Sequence, residues 1–153
     1  MQSERTLVLV KPDAVQRGLM GEIISRFERR GLHPVAIKLM QVSGDVAARH
    51  YDEHRGKPFY DGLVDFITSS PLLAMVWEGP GAVAIVRSMM GATNPASSAP
   101  GTIRGDLAVS LAMNAVHGSD SPESAAREVA IFFSDDELLD WSSSSAPWVV
   151  AED

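Results

Sequence analysis

"TLVLVKPDAVQRGLMGEIISRFERRG", Thr6 to Gly31, decides how the chain begins to fold. Its first five residues are β-branched or apolar throughout, the composition of a short strand, and Lys11-Pro12-Asp13 ends that strand as a turn. Beyond the turn, Leu19, Ile23, Ile24 and Phe27 recur at helical spacing and share one face, while Gly31 stands where a helix takes its C-cap. The chain therefore opens strand, then helix. The apolar run Leu7 to Val10 is only four residues long and is followed at once by Lys11 and Pro12. It reads as a buried strand and not as the apolar heart of a signal peptide.

Outward from that unit the same rules continue to apply. "HPVAIKLMQV" (33–42) and "PLLAMVWEG" (71–79) predict a second and a third strand, with short helices in "GDVAARHYDEH" (44–54) and "YDGLVDFITSS" (60–70) between them. "PGAVAIVRSMMG" (80–91) predicts a helix that starts at about Pro80 and stops at Gly91. The following "ATNPASSAPGTIRG" (92–105) is rich in Pro, Gly and Ser and has no apolar period; a loop of that length inside a compact domain is usually functional or disordered. Then come an apolar helix or strand through Val116, a helix from about Pro122, "EVAIFF" (128–133) as a fourth strand, and a tail with a short helix and an extended end. Strands alternating with helices predict an α/β layered sandwich. Four strands in β-α-β, helices, β-α-β order fit a ferredoxin-like βαββαβ antiparallel sheet covered by helices. A doubly wound parallel sheet is the alternative. We find no internal repeat, the serine run 142–145 is too short for a linker, and 1–153 reads as a single domain.

At 153 residues and 45% hydrophobic, the chain can bury one sizeable core. Its formal charge of −7 disfavours a nonspecific grip on nucleic acid, which needs a basic face. There is no cysteine, so disulfides and thiolate metal sites are excluded. No apolar run is long enough to span a bilayer, and a soluble cytoplasmic protein is expected.

The residues able to contact phosphate sit in the least regular parts of the chain: Lys11 after the first strand, Arg87 in a helix, Thr93 in the long loop and Arg104 in "GTIRGD". Three cations and a hydroxyl would neutralise and orient a polyphosphate through charge-assisted hydrogen bonds. Each arginine taken alone is better explained as a solvated surface residue; only convergence on one pocket would change that. His117, in "NAVHGSDSPESA" (114–125), has the same two readings. Alone it is a packed, hydrogen-bonded side chain; in a phosphate pocket its neutral imidazole is a nucleophile for phosphorus. A carboxylate would hold its other nitrogen, with Glu128, Asp106, Asp120 and Glu123 as candidates. Ser119 to Glu123 combine capping residue types, a proline and an acid suited to a first helical turn, so Ser119 has a structural explanation unless its hydroxyl reaches His117 or the substrate. No GxxxxGK[ST] run exists, so a phosphate site must use side chains. In "HYDEH", His50 and His54 are four apart, but the acid expected beside the first histidine of a zinc motif is absent, and a solvated helix face is the better reading.

Five ordered segments, "TLVLVKPDAVQRGLMGEIISRFERRG", "HYDEHRGKPFYDGLVDFI", "AMVWEG", "MMGATNPASSAPGTIRGD" and "NAVHGSDSPESAAREVAIFF", closely resemble the nucleoside diphosphate kinase family over nearly the whole chain. The resemblance implies ping-pong transfer of the γ-phosphate of a nucleoside triphosphate to a histidine and then to a nucleoside diphosphate. By position, it implies that His117 is the nucleophile and that Ser119 and Glu128 orient or assist it. It further implies that Lys11, Tyr51, Arg87, Thr93 and Arg104 hold phosphates or the sugar, that Asn114 with Lys11 meets the ribose hydroxyls, and that Phe59 stacks on the base. Magnesium would be carried by the nucleotide phosphates and not by a protein metal cluster. A platform of this kind tolerates every base, because every base has a π-face. The family forms hexamers or tetramers, and the length, the C-terminal "SSAPWVVAED" and the 92–105 loop resemble the hexameric type. Ala14, Ser70 and Tyr60 depart from the usual pattern; Ser70 stands where a glycine often precedes proline, which puts that turn's geometry in question. A nucleotide-sensing module without turnover is the rival, disfavoured by the intact His117, Lys11, Arg87 and Arg104.

Overall fold

A computed structural model of the chain describes residues 3–151. Strand β1 (Ser3–Val10) leads through α1 (Pro12–Gln16) and α2 (Met20–Arg30) to β2 (His33–Met40). Helices α3 (Gly44–His50) and α4 (Tyr60–Ile67) precede β3 (Leu72–Pro80), and α5 (Ala82–Met90) and α6 (Ile103–Leu107) precede β4 (Val116–Gly118), before α7 (Pro122–Phe132). The sheet order is β2-β3-β1-β4. Every neighbouring pair is antiparallel. This is the ferredoxin-like arrangement, and the doubly wound parallel alternative is excluded.

The apolar runs of β1 and β3 are explained by burial on both faces. From β1, Val8 and Val10 join Met75, Trp77, Ile23, Phe27, Val86 and Met90 on one side. Leu7 and Leu9 join Val76, Ile67, Ala47 and Phe132 on the other. The predicted stripe of α2 is present, with Ile23 and Phe27 fully buried, and Gly31 caps the helix at φ 108°, a left-handed conformation that favours glycine.

Four local expectations are corrected. "EVAIFF" is not a strand: the helix begun at Pro122 continues to Phe132, and its buried residues Ala125, Glu128 and Phe132 lie at the i, i+3, i+7 spacing of one helical face. β-propensity in Val129, Ile131 and Phe132 yields to tertiary packing there. The fourth strand is instead the three-residue Val116–Gly118, too short to show a period. Pro80 closes β3, pairing with Ser3, and α5 starts at Ala82 after Gly81. Lys11-Pro12-Asp13 starts a helix, with Lys11 as N-cap and Pro12 as its first residue. The 92–105 segment also carries a 3-10 turn, Pro95–Ser97, and the start of α6. Its fold-back leaves no room at Gly105, where a Cβ would lie 2.0 Å from the Ala99 carbonyl oxygen.

Candidate functional site

β4 lies at the sheet edge beside the central strand, pairing His117 with Leu9. It packs tightly on α5: a Cβ on Gly118 would meet Met90 Sδ at 2.6 Å and Val86 Cγ1 at 3.0 Å. The His117 side chain is 28% exposed, so one part is anchored and the rest faces a cleft. That cleft is lined by His50, Tyr51, His54, Arg87, His117 and Glu128 among others.

Helix α7 supplies the anchor. Its N-cap is Ser121, whose Oγ accepts from Ser124 N–H, and Ser119 is therefore released from the capping role that its position suggested. Glu128 faces inward from the second turn, and its Oε1 accepts from His117 Nε2 at 2.6 Å and from the Ser119 hydroxyl at 3.0 Å. The Ser119 Oγ in turn accepts from Leu7 N–H at 3.4 Å. Among the competing carboxylates, Asp106 is committed to Gly101 N–H and Arg26, while Asp120 and Glu123 are exposed. Burial would raise the Glu128 carboxyl, but hydrogen bonds from His117 and Ser119 hold it below the usual carboxylate range. An ionised carboxylate only accepts, so Nε2 carries the ring proton and the lone pair is left on Nδ1.

The cations converge. Arg104 is 4% exposed, and its guanidinium donates to the carbonyls of Asn114 at 3.2 Å, Gly91 at 3.3 Å and Val116 at 2.8 Å. Burial and then the neighbouring charge of Arg87 disfavour its charge, while the carbonyl acceptors support it. Arg87 Nη1 donates to the Gly118 carbonyl at 3.3 Å. Burial lowers the Lys11 ammonium to about 8, against the pull of Asp13 and with a further push from Arg104. Lys11 Nζ donates to Asn114 Oδ1 at 2.6 Å, and Asn114 Nδ2 donates to the Thr93 carbonyl at 3.0 Å. Thr93, Asn114, Lys11, Arg104 and Arg87 thus form a continuous polar band along β4 up to His117. Arg104 faces the charges of both Lys11 and Arg87, a repulsion that a bound anion would relieve.

Tyr51 and Phe59 stand further out. Burial and then Glu128 push the Tyr51 phenol up to about 12, which keeps it a hydrogen-bond donor. Phe59 is 51% exposed; it meets the His54 ring edge-on at 5.3 Å and leaves apolar area free for a flat ligand. His50 is the residue that the sequence reading misplaced. It is 4% exposed and meets the His117 ring edge-on at 4.8 Å, not solvent. The signal was available: Val46, Ala47 and His50 share the inward face of α3, where His50 meets Tyr51 and Phe132. His50, His117 and Glu128 bring one ligand atom each within 4.8 Å of one another. That set is rich in imidazole nitrogen and does not match the octahedral oxygen shell magnesium requires.

The departures at Ala14 and Ser70 cost no backbone strain, since neither has a positive φ. Ser70 Oγ even gains a partner, accepting from Gln16 Nε2 at 2.6 Å.

Residues 4–138 match the family model described as nucleoside diphosphate kinase. A nucleoside diphosphate kinase of Natronomonas pharaonis is 60% identical over 148 residues, covering 96% of this chain and 97% of the relative. One from Carboxydothermus hydrogenoformans is 58% identical over 146 residues, covering 95% and 98%. The solved structure of a halophilic nucleoside diphosphate kinase from Halobacterium salinarum, in complex with CDP, superposes with a TM-score of 0.95 at 52% identity, covering 97% of this chain and 99% of that one.

Proposed function

The chain belongs to the nucleoside diphosphate kinase family and is a nucleoside diphosphate kinase, and from that premise we propose that His117 carries the phosphate between its two substrates. The observation that carries this reading is the 2.6 Å hydrogen bond from His117 Nε2 to buried Glu128. It fixes the tautomer and leaves Nδ1 as a neutral nucleophile. In the first half-reaction Nδ1 attacks the γ-phosphorus, an N–P bond forms, and the bond from phosphorus to the β-γ bridging oxygen breaks. The nucleoside diphosphate leaves with that oxygen. In the second half a terminal oxygen of another nucleoside diphosphate attacks the phosphorus, the N–P bond breaks, and His117 is restored.

Phosphoryl transfer asks mainly for positioning and charge stabilisation. Arg87, Arg104 and Lys11 supply charge, and Thr93 and Tyr51 supply hydroxyl donors. Asn114 with Lys11 meets the ribose, and exposed Phe59 stacks on the base without reading its identity, which gives broad base specificity. Glu128 stabilises the imidazolium side of the intermediate, and Ser119 holds Glu128. Magnesium would be held by the nucleotide phosphates and not by protein ligands, and when bound it would supply further charge neutralisation beside Arg87, Arg104 and Lys11. We place the whole chain, 1–153, in one catalytic domain acting in the cytoplasm as a homohexamer; exposed apolar Leu39 on edge strand β2, Val109 and Leu111 support an assembly. Among the described residues no helix is long and apolar enough to cross a membrane.

Incubation with γ-labelled ATP and magnesium tests the assignment. The protein should take up label that survives base, is lost in acid and moves to added GDP. A His117→Ala protein that labels equally well would overturn it.

A further inference from the structure

We propose that Asp13 is a positioning residue for phosphoryl transfer, its buried carboxylate locking the strained turn from which Asn114 and His117 are both aimed. The turn is Asn114-Ala115-Val116. Ala115 is the one non-glycine among the described residues with a positive φ, +72°, and Val116 N–H donates to the Asn114 carbonyl at 2.8 Å. An i to i+2 hydrogen bond around a central residue of positive φ is a γ-turn of the rare, strained hand. Alanine gains nothing from that conformation, so its surroundings must impose it.

Those surroundings come largely from the junction of β1 and α1. Lys11 N–H donates to the Ala115 carbonyl at 2.9 Å, and Asp13 Oδ2 accepts from Ala115 N–H at 3.0 Å. Arg104 takes the two flanking carbonyls, those of Asn114 and Val116. Ala115 is fully buried, so without Asp13 its N–H would have no acceptor and the turn would lose the bond that opposes its relaxation. Asp13 is itself buried, and its Oδ1 has no hydrogen-bond partner among the described residues; its side chain serves this turn. An acid in the first turn of a helix is often explained by the helix dipole. Here the helix has only five residues, and a dipole partner has no need to be buried. Because Ala115 is the pivot of the turn, a change in its backbone angles alters the direction of the residues on both sides. Asn114 precedes it with its contacts to Lys11 and Thr93; His117 follows two residues later.

The inference rests on the reading of His117 as phosphate acceptor. Its test is the single-turnover rate of protein labelling from γ-labelled ATP, with melting temperature followed for each variant. Asp13→Ala should slow labelling about 10- to 100-fold, the scale expected for misplaced reacting groups. Asp13→Asn keeps an oxygen acceptor for Ala115 N–H and should stay within about fivefold of the parent, although it removes the charge just as alanine does. Ala115→Gly tolerates a positive φ without strain, and in the Asp13→Ala background it should recover about tenfold in rate. If Asp13→Ala does not fold, the double variant decides alone: it should fold and label within about tenfold of the parent. An Asp13→Ala rate within twofold of the parent overturns the proposal. So does an Asp13→Asn loss as deep as that of alanine, which would assign the effect to charge on Lys11, or an absence of rescue by Ala115→Gly. Label persisting in His117→Ala would instead fail the reading of the acceptor, independently of these rates.

Discussion

At the scale of single residues, the site depends on which proton sits on which nitrogen. Glu128 accepts from His117 Nε2 and from Ser119 on the same oxygen, Oε1, and its charge stabilises the imidazole as positive character grows during attack. Glu128→Gln is close in volume but uncharged. A hydrogen bond to a charged group contributes roughly 1.5–3 kcal/mol, and about 1.4 kcal/mol is one decade in rate. We therefore expect kcat to fall roughly 10- to 100-fold with nucleotide KM little changed, measured in steady-state assays; a loss confined to KM would show that Glu128 serves binding. Residue chemistry of this kind was partly legible in the sequence. His117 and its possible acids could be nominated, but nothing in their spacing could choose Glu128 over Asp106, because the choice rests on which side of a helix faces β4. Asp13 was read only as part of a turn, since a backbone N–H 102 positions away leaves no mark on the sequence around it.

At the scale of elements, α7 divides its labour between two serines. Ser121 caps the helix through Ser124 N–H at 3.1 Å, and Ser119 holds the carboxylate that the helix delivers. Ser121→Ala should cost about 1 kcal/mol, a fall in Tm of a few degrees for a chain of this size, with kcat nearly unchanged. Ser119→Ala should lower kcat by more than Ser121→Ala does, because it leaves one acceptor site of Glu128 empty beside His117. Parallel Tm and kcat measurements check the pair; a reversed order would show that Ser119 does not serve His117 through Glu128. Sequence patterning served the long elements well. β1, α2 and β3 have enough residues to establish a period and a stop signal, and each lies where the pattern put it. It failed at β4 and at the C-terminal half of α7, where three residues are too few to show alternation and a valine- and phenylalanine-rich helix imitates a strand. The four-strand count was right, but one strand was assigned to the wrong segment.

At the scale of the whole molecule, acid sensitivity is built in by a buried histidine beside the site that the fold keeps uncharged. His50 packs among the rings of Tyr51, His117 and Phe132, and among the described residues neither of its ring nitrogens has a hydrogen-bond partner. Burial lowers it to about 3; His117, Arg127 and His54 push in the same direction, and Glu128 pulls the other way. The folded state therefore binds this proton less readily than the unfolded chain, whose histidine titrates near 6.5. Between pH 6.5 and about 3 the unfolded state holds more protons, so stability must fall as pH falls through that window. Glu128, lowered in the folded state, acts in the same direction, but only as pH falls below the ordinary carboxylate range. Between pH 6.5 and 5 the His50 contribution is separable, with a slope of up to about 1.4 kcal/mol per pH unit. His50→Phe retains a ring for the edge-on contacts, removes two unpartnered nitrogens and cannot be protonated. Urea midpoints at pH 7 should match or exceed the parent's, and the decline between pH 6.5 and 5 should flatten. An unchanged slope in the variant would mean that His50 is readily protonated in the folded protein and that another group sets its acid sensitivity.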